Sequence, residues 1–147
     1  ITIDLSPQRK KIWGDYARAV VLEKGRVVEK IENISNDEWR AGLLMEECLH
    51  RELEHFATPA TTFEELYDYM NCYIVQNGFI NLDFKGNLGH SIAKSKMGRI
   101  YIESGNHTRL SQVSLFTFEP HISMHGSKYG YKKEDIYYFQ DGTLNRL

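Results

Sequence analysis

The sequence predicts an α+β fold, in which strands near both ends of the chain flank two consecutive helices. Residues 1–5 alternate apolar side chains with Thr2 and Asp4, which is typical of a strand. Residues 35–78 carry apolar side chains at helical spacing between helix start and stop signals. Residues 116–142 hold two runs of aromatic and strand-forming residues around a Gly/Ser/Lys loop, which predicts a strand, a loop and a strand. This order of elements indicates one α+β domain.

Composition argues against several classes of protein. With 147 residues, 41% hydrophobic and 26% charged, the chain is long enough for one domain with a real core. Its net charge of −2 argues against a nucleic-acid or membrane surface, and the short basic run at 9–11 is expected to be a solvated hairpin tip. No apolar run reaches transmembrane length. Cys48 and Cys72 are too few for a disulfide framework, so we expect a cytoplasmic location.

The first part of the chain is predicted to form strands joined by polar turns. Segment 6–14 is polar and contains Pro and Gly, so we expect a loop or a wide hairpin turn before a second strand at 16–22. After Gly25, residues 26–34 are expected to extend or re-enter the sheet. Because the chain opens inside a strand pattern and without Met, we expect a piece of a larger protein.

A capping box predicts the start of the first helix. Ser35 is followed three residues later by Glu38, the spacing at which both side chains cap backbone N–H groups. The helix is expected to run to about Phe56 and to end at Pro59. Its apolar positions recur at helical spacing: Trp39, Leu43, Leu44, Leu49, Leu53 and Phe56.

The second helix is predicted at 63–76. Thr61 or Thr62 is expected to cap its start, together with one of the glutamates that follow, and Asn77-Gly78 to cap its end. One stripe of its side chains is assigned to the core: Leu66, Tyr69, Met70, Tyr73 and Ile74. Further along, residues 99–103 predict a strand, and Asp141-Gly142 predicts a tight turn near the end.

Two acids interrupt the apolar closing strands. Glu119 ends one strand just before Pro120, and Glu134 opens the next. Side chains alternate faces along a strand, which gives two sets that each share a face: Leu115, Thr117 and Glu119, and Glu134, Ile136 and Tyr138. If the strands are neighbours, the two carboxylates converge, and they repel each other unless protons or cations intervene.

Three more residues stand where core packing does not explain them. Asp4 interrupts an apolar strand and Asp15 opens the next, so a hairpin would bring them face to face. His90 lies between Gly89 and Ser91, whose small side chains let a backbone or ligand approach. Four carboxylates and one imidazole suit divalent transition metals and, through bridging, can hold two ions ~3.5–4 Å apart. Taken singly, however, Asp15 and His90 are better explained by structural roles, a turn is an alternative role for Asp4, and for Glu119 and Glu134 the two interpretations are nearly balanced.

The order and spacing of these residues resemble the M24 metallopeptidases, the pita-bread family of methionine aminopeptidase, Xaa-Pro aminopeptidase and prolidase. Ligands in that family come in the order Asp, Asp, His, Glu, Glu. The matching segments are IDLSPQRKKIWGDYAR, GHSIA, FTFEP and KKEDIYYFQDG, and they contain Asp4, Asp15, His90, Glu119 and Glu134. The spacing between the last two ligands resembles the Xaa-Pro aminopeptidase and prolidase branch.

The resemblance implies that residues 1–147 form the C-terminal portion of an M24 catalytic domain, with a curved antiparallel sheet and helices on its outer face. It implies two divalent ions, Mn, Co, Zn or Fe, held by the five matching residues. It also implies hydrolysis of short peptides at their N-terminal residues, with Xaa-Pro peptides as one substrate class. Glu119, in the Glu-Pro motif, takes the role of proton shuttle. A homodimer is a further expectation.

Four positions depart from the family's pattern. In the family, these positions hold two glycines after the ligand His, a second His that touches substrate, and an Arg near the last ligand. In this chain they are occupied by Ser91, Ala93, Met97 and Lys132. His121 and His107 are candidates to bind substrate in place of the missing His, and we expect His121 to lie nearest the metals. His125 is at least as well explained by a surface role.

Three alternatives stay open. Some pita-bread proteins have lost catalysis and bind partners, and creatinase-like members work without metal, but this sequence retains all five ligands that such proteins usually lose. Family members also carry a further half before the first ligand Asp, which completes the fold and the pocket. The chain is therefore expected to bind metal and to need its N-terminal half for activity.

Overall fold

The computed structural model describes residues 1–9 and 12–147, and it confirms the α+β class. The helices are α1 (Asp37–Phe56) and α2 (Phe63–Gln76). The strands before them are β1 (Thr2–Leu5), β2 (Gln8–Arg9), β3 (Ile12–Trp13), β4 (Tyr16–Ala19), β5 (Leu22–Glu23) and β6 (Arg26–Val27). The strands after them are β7 (Phe79–Asn81), β8 (Phe116–Phe118), β9 (His121–Met124), β10 (Tyr131–Gln140) and β11 (Thr143–Arg146). The solvated tip predicted at 9–11 lies largely outside the described residues.

The main sheet is antiparallel and is built around β10. Its strands follow the order β1-β4-β10-β9-β7, and β8 and β11 also pair with β10. Successive parts of this ten-residue strand pair with β9, β4, β8 and β11. Because every neighbour hydrogen-bonds to the same strand, residues far apart in sequence are brought into one register. The pairs β2–β3 and β5–β6 form two separate small hairpins.

Both helices bury their apolar stripes against one face of this sheet. The core contains Met45, Leu49, Leu53, Phe63, Leu66, Met70, Ile74, Phe116, Phe118, Ile122 and Tyr137. Each such side chain stabilises the fold by about 1.5–3 kcal/mol through burial. Alternation along β10 sends Tyr131, Lys133 and Asp135 toward α1 and leaves Lys132 and Glu134 on the other face. The Tyr131 ring lies so close to α1 that a Cβ at Gly42 would meet it at 2.3 Å.

The start of α2 agrees with the predicted capping box. The hydroxyl of Thr62 accepts from the Glu65 N–H at 3.1 Å, and the Glu65 carboxylate accepts from the Thr62 N–H at 2.8 Å. At the other end, Asn77 caps the helix, and Gly78 adopts a φ of +81°, which favours glycine.

The start of α1 differs from the predicted capping box. Asn36, not Ser35, is the cap, and its side-chain oxygen accepts from the Trp39 N–H at 3.0 Å. The Ser35 N–H instead donates to Glu23 on the small hairpin at 2.9 Å. The prediction from Ser35 and Glu38 was wrong by one residue because a contact distant in sequence engages Ser35.

The strand predictions before the helices are partly wrong. The strand expected at 16–22 stops at Ala19, and a new strand begins at Leu22. Of the segment 26–34, only Arg26–Val27 is strand, and Ile31–Asn33 forms a 3₁₀ turn. The tight β5–β6 turn, with Gly25 at a φ of +77°, folds this segment back on itself instead of adding it to the main sheet.

Two predictions after the helices also need correction. Residues 99–103 are not a strand, since Tyr101 makes only a single bridge with His90. The loop expected between the closing strands contains β9, whose four residues lie between β7 and the start of β10. The expected tight turn at Asp141-Gly142 is present, with φ values of +51° and +79°, and it leads into β11.

Among the described residues, neither helix has the length and apolarity needed to cross a bilayer.

Candidate metal centre

The sheet register explains why acids distant in sequence share one face. Asp4 is paired with Ala17, and Ala17 is paired in turn with Glu134, so the three form a row across β1, β4 and β10. Phe118 is paired with Asp135, which places Glu119 beside Glu134 at the end of β8. Directly opposite residues point to the same face of a sheet. The strand ladder therefore carries these carboxylates to the face opposite the helices.

Three of the five predicted ligands form a compact cluster. One ligand atom each from Asp15, His90 and Glu134 lies within 4.8 Å of the others. All three side chains are buried, with 8%, 4% and 1% of their surface exposed. Two acids and an imidazole at this separation could hold one cation between them.

Glycine next to His90 allows this placement, as the sequence predicted. Gly89 has a φ of +137°, and a Cβ there would lie 2.3 Å from the carbonyl oxygen of Thr117. The close approach lets the Thr117 N–H donate to the His90 carbonyl at 2.7 Å, and the His90 N–H donate to the Thr117 hydroxyl at 3.1 Å. His90 is thereby fixed beside β8.

Hydrogen bonding defines the tautomer of His90. Its Nδ1 lies 3.0 Å from the carbonyl oxygen of Ser91, which can only accept, so Nδ1 carries the proton. Burial lowers the pKa of His90, although the neighbouring carboxylates oppose this, and so favours a neutral ring. The lone pair of Nε2 then faces two acceptors, 3.5 Å from Asp15 and 3.6 Å from Glu119. These three electron-rich atoms lie close together, and a cation bound between them would offset their repulsion.

Glu134 is the most deeply buried of the predicted ligands. Its Oε1 atom is buried without a hydrogen-bond partner. Burial first, and then the charges of Glu119 and Asp15, raise the pKa of Glu134 to about 8. An orphaned carboxylate oxygen inside a cluster of acceptors fits a metal ligand, because a bound cation would satisfy it and restore its ionised form.

Glu119 and Asp4 are linked through Lys132. The ammonium of Lys132 lies 3.0 Å from each of the two carboxylates. Burial lowers the pKa of Lys132, but Glu119 and Asp4 outweigh that effect and raise it above its ordinary range. Asp4 is the least enclosed of the five predicted ligands, with 53% of its side chain exposed, and the register puts it opposite Ala17 instead of face to face with Asp15.

Asp15 has two partners that the sequence analysis missed. The Ser6 hydroxyl donates to one of its oxygens, and the Arg99 guanidinium lies 2.9 Å from the other. Arg99 lies in an irregular segment, and no local sequence pattern marks it as part of the cluster. Only the folding of that segment over the sheet brings it to Asp15.

The residues present fit a divalent cation, but they do not all lie equally close to one another. Asp15, His90 and Glu134 form the compact part of the site, with Glu119 adjacent to His90. Asp4 joins them through the Lys132 ammonium. Carboxylate and imidazole donors in this combination suit Mn, Co, Fe or Zn.

A cavity of about 430 Å³ opens beside Glu119. It is lined by Asp83, Phe84, Asn87, Tyr101, Glu103 and Glu119. His121 lies on β9 opposite Lys132, with its Nδ1 atom 4.0 Å from Asp83, so it borders the same region. The role of His121 beside the metals stays a prediction.

The other predicted substrate residue lies elsewhere. His107 is 79% exposed and pairs with Glu64 in the first turn of α2 at 2.9 Å, so the structure does not support a role for it in the cluster. His125 is exposed, as expected for a surface residue. Met97, at the position of the family's second His, is 99% exposed.

Comparison with solved structures identifies the fold. X-Pro aminopeptidase from Thermotoga maritima aligns over 99% of this chain and 38% of its own, with a TM-score of 0.74 and 20% identity. Prolidase from Pyrococcus furiosus aligns over 99% of this chain and 40% of its own, with a TM-score of 0.75 and 20% identity. The chain has the pita-bread fold. Methionine aminopeptidase from Thermotoga maritima aligns over 99% of this chain and 61% of its own, with a TM-score of 0.70 and 9% identity.

The pita-bread chain spans about two fifths of the length of the first two of these enzymes. No protein-family model and no curated protein matches its sequence. The likeness is therefore one of backbone architecture, and it agrees with the predicted antiparallel sheet with helices on its outer face.

Proposed function

We propose that this chain is the metal-binding C-terminal portion of an M24-type peptidase, and that the intact protein hydrolyses short peptides at their N-terminal residues. Xaa-Pro peptides are the first substrate class to test. One observation supports this most strongly: the unprotonated Nε2 of His90 faces carboxylate oxygens of Asp15 and Glu119 at 3.5 and 3.6 Å. A divalent cation bound there would accept electron pairs from all three atoms.

The proposed ligands divide into two groups. Asp15, His90 and Glu134, with Glu119 beside His90, would hold a first ion, and Asp4 would complete the set for a second. Mn, Co, Zn or Fe would match these donors. Such ions, when bound, supply a Lewis acid and make water acidic enough to act as a nucleophile near neutral pH.

Glu119 is the proposed proton shuttle. It is the one predicted ligand that lines the 430 Å³ cavity, and 15% of its side chain is exposed there. Lys132 holds its Oε2 atom at 3.0 Å, which leaves Oε1 on the side of His90. In the proposed reaction Oε1 takes a proton from the attacking water and passes it to the amine of the leaving peptide.

The cavity beside Glu119 is the proposed peptide site. Phe84 and Tyr101, which are 82% and 38% exposed, contribute aromatic surface. Asp83 and Glu103 contribute carboxylates. A peptide lying there would place apolar side chains on the aromatic rings and its cationic amine near the carboxylates. His121 is proposed to contact the substrate from the side of β9.

A second candidate function is a binding module without metal. The observation that favours it is the presence of Arg99 and Lys132 among the acids, at 2.9 and 3.0 Å from their nearest oxygens. These two cations neutralise part of the cluster without any ion. The two functions differ in whether the cluster takes up divalent metal.

A cytoplasmic location and a homodimer remain part of the proposal. Cys48 and Cys72 are both free thiols, which agrees with a reducing compartment. Size-exclusion chromatography with light scattering tests the homodimer.

Three measurements test the proposed function. Elemental analysis of the chain purified in Mn²⁺ or Co²⁺ is expected to show bound metal, and EDTA is expected to lower the melting temperature because the acids lose their counter-ions. A panel of Xaa-Pro dipeptides and longer peptides tests hydrolysis, with Asp15→Ala and Glu119→Ala as inactive controls. A chain without bound metal and without an EDTA shift would favour the binding module. Metal binding without hydrolysis would instead agree with a need for the N-terminal half.

A further inference from the structure

A histidine on the helix face lies directly behind the metal cluster. His50 belongs to α1, is 1% exposed, and packs against β10 on the face opposite Glu134. Its Nε2 atom lies 3.1 Å from the carbonyl oxygen of Lys133, and its Nδ1 atom lies 2.7 Å from the hydroxyl of Tyr137. These two partners flank Glu134 along the same strand.

The partners of His50 determine its tautomer. A carbonyl oxygen can only accept, so Nε2 carries the proton and donates it to Lys133. Nδ1 is then an acceptor, and the Tyr137 hydroxyl donates to it. Burial first, and then the charge of Lys133, lower the pKa of His50 to about 3, which agrees with a neutral ring. Both hydrogen bonds are thus directional and engaged throughout the neutral pH range.

The same imidazole also contacts the strand of the other glutamate. Its ring meets the ring of Phe118 edge to face, with centroids 5.1 Å apart, and Phe118 immediately precedes Glu119. Phe118 is paired with Asp135 across the β8–β10 ladder. His50 therefore touches β8 and β10 at the positions next to both candidate ligands.

Arg18 holds the same stretch of β10 from β4. Its guanidinium donates to the carbonyl oxygen of Glu134 at 2.5 Å and forms an ion pair with the carboxylate of Asp135. Lys133, Glu134 and Asp135 are thus held at three consecutive positions by polar side chains of other elements. Such contacts restrict the backbone from which the Glu134 carboxylate projects.

We propose that His50 is a positioning residue for Glu119 and Glu134, acting through the sheet from the face opposite the metal cluster. The inference rests on the proposed function, because it assigns to His50 a contribution to metal affinity. The Tyr137 hydroxyl orients the ring, and the hydrogen bond of the ring to Lys133 and its contact with Phe118 set the separation and orientation of the last two ligands. Removing the imidazole is expected to weaken metal binding beyond what lost stability explains.

Titration with Co²⁺ alone tests this inference, with the d–d absorption band as a readout that is independent of activity. His50→Leu replaces the imidazole by an apolar side chain and loses both hydrogen bonds, and is expected to bind Co²⁺ about tenfold more weakly with an altered band. His50→Gln, whose amide can still donate to Lys133, is expected to recover part of the affinity. Leu66→Ala serves as the destabilised control, because Leu66 is fully buried on α2, which packs mainly on β7 and α1.

The outcomes separate this inference from the proposed function. If wild type binds Co²⁺ and His50→Leu loses no more affinity than Leu66→Ala, the positioning role is wrong and the metal site stands. If wild type shows no Co²⁺ band, the metal site itself is wrong, and the inference falls with it. Should His50→Leu fail to fold, Tyr137→Phe decides the matter, since it keeps the ring and removes the donor to Nδ1. An unchanged affinity and band in Tyr137→Phe would then overturn the inference.

Discussion

The Nζ atom of Lys132 lies 3.0 Å from Oε2 of Glu119, inside the cluster of predicted metal ligands. The same ammonium lies 3.0 Å from Asp4. A cation that belongs to the chain therefore sits between two residues proposed to bind a divalent ion. Metal loading of the proposed site would then depend on charge balance as well as on ligand geometry.

Removing the charge of Lys132 is expected to lower the stability of the metal-free chain and to strengthen its binding of metal. Lys132→Met leaves Glu119 and Asp4 without a counter-charge, so we expect a lower melting temperature in EDTA and a larger upward shift on adding Mn²⁺. Lys133→Met is the matched control, because the neighbouring lysine points to the other face and pairs with Glu47 at 2.6 Å. Thermal melts with and without metal measure both effects. Equal metal-induced shifts in Lys132→Met and wild type would show that Lys132 does not compete with the ion.

The raised pKa of Glu134 predicts how metal-free stability depends on pH. The folded-state pKa is about 8, above the unfolded value near 4.5, so the folded state holds the proton more tightly. This contribution is complete below pH 4.5 and is lost as the pH rises toward 8, with a slope of at most about 1.4 kcal/mol per pH unit. Glu134→Gln removes this slope, and we expect its stability in EDTA to rise relative to wild type between pH 5 and 8. Urea melts across this range measure the difference, and parallel curves for the two proteins would contradict it.

The buried carboxyl of Glu46 predicts a stabilising substitution. Glu46 is 3% exposed on α1, and neither of its oxygens has a hydrogen-bond partner. Burial raises its pKa well above the ordinary range, although the charge of Lys133 opposes this. Glu46→Met is expected to increase the free energy of unfolding at pH 7 by about 1–3 kcal/mol, since an unpaired polar group leaves the interior.

The neighbouring Glu47 supplies the control for that substitution. Glu47 is 46% exposed and pairs with Lys133, so Glu47→Met should change stability little. Urea unfolding of both variants gives the comparison. A loss of stability in Glu46→Met would show that the carboxyl has a partner, such as an ordered water, that its removal leaves unsatisfied.

The close approach at Gly89 predicts a large effect of a single methyl group. In Gly89→Ala the added Cβ would lie 2.3 Å from the Thr117 carbonyl oxygen, at a φ of +137°. Backbone strain alone costs about 1–3 kcal/mol, and the clash adds to it by pushing His90 away from β8. Gly126→Ala isolates the strain, because Gly126 also has a positive φ, +77°, but open space around it. Equal losses in the two variants, with unchanged metal affinity in Gly89→Ala, would argue against the clash.

Local sequence patterns predicted the elements that depend on local interactions. The capping box of α2 connects residues three apart, and the apolar stripes of both helices follow from helical spacing alone. The aromatic runs of β8 and β10 and the tight turn at Asp141-Gly142 were predicted for the same reason. The start of α1, the short strand β9 and the irregular segment 99–103 were not, because distant partners decide them.

For the candidate site, too, one part was predictable from the sequence and another part was not. The order and spacing of Asp4, Asp15, His90, Glu119 and Glu134, through their resemblance to the M24 pattern, led to the prediction of a metal cluster. They did not reveal that Asp15, His90 and Glu134 form its compact part. The difference between these three ligands and the other two depends on the pairing of β1, β4, β8 and β10. It also depends on Arg99 and Lys132, which reach the acids.

Residue types and near-neighbour spacing were enough to predict the fold class, the helices and the chemistry of the candidate ligands, because each depends on short stretches of chain. The convergence of the ligands, the cations that accompany them and the place of His50 behind Glu119 and Glu134 became visible only in the folded chain. They depend on β10, which hydrogen-bonds to strands from both ends of the chain. The register of those ladders brings together side chains that no local pattern relates.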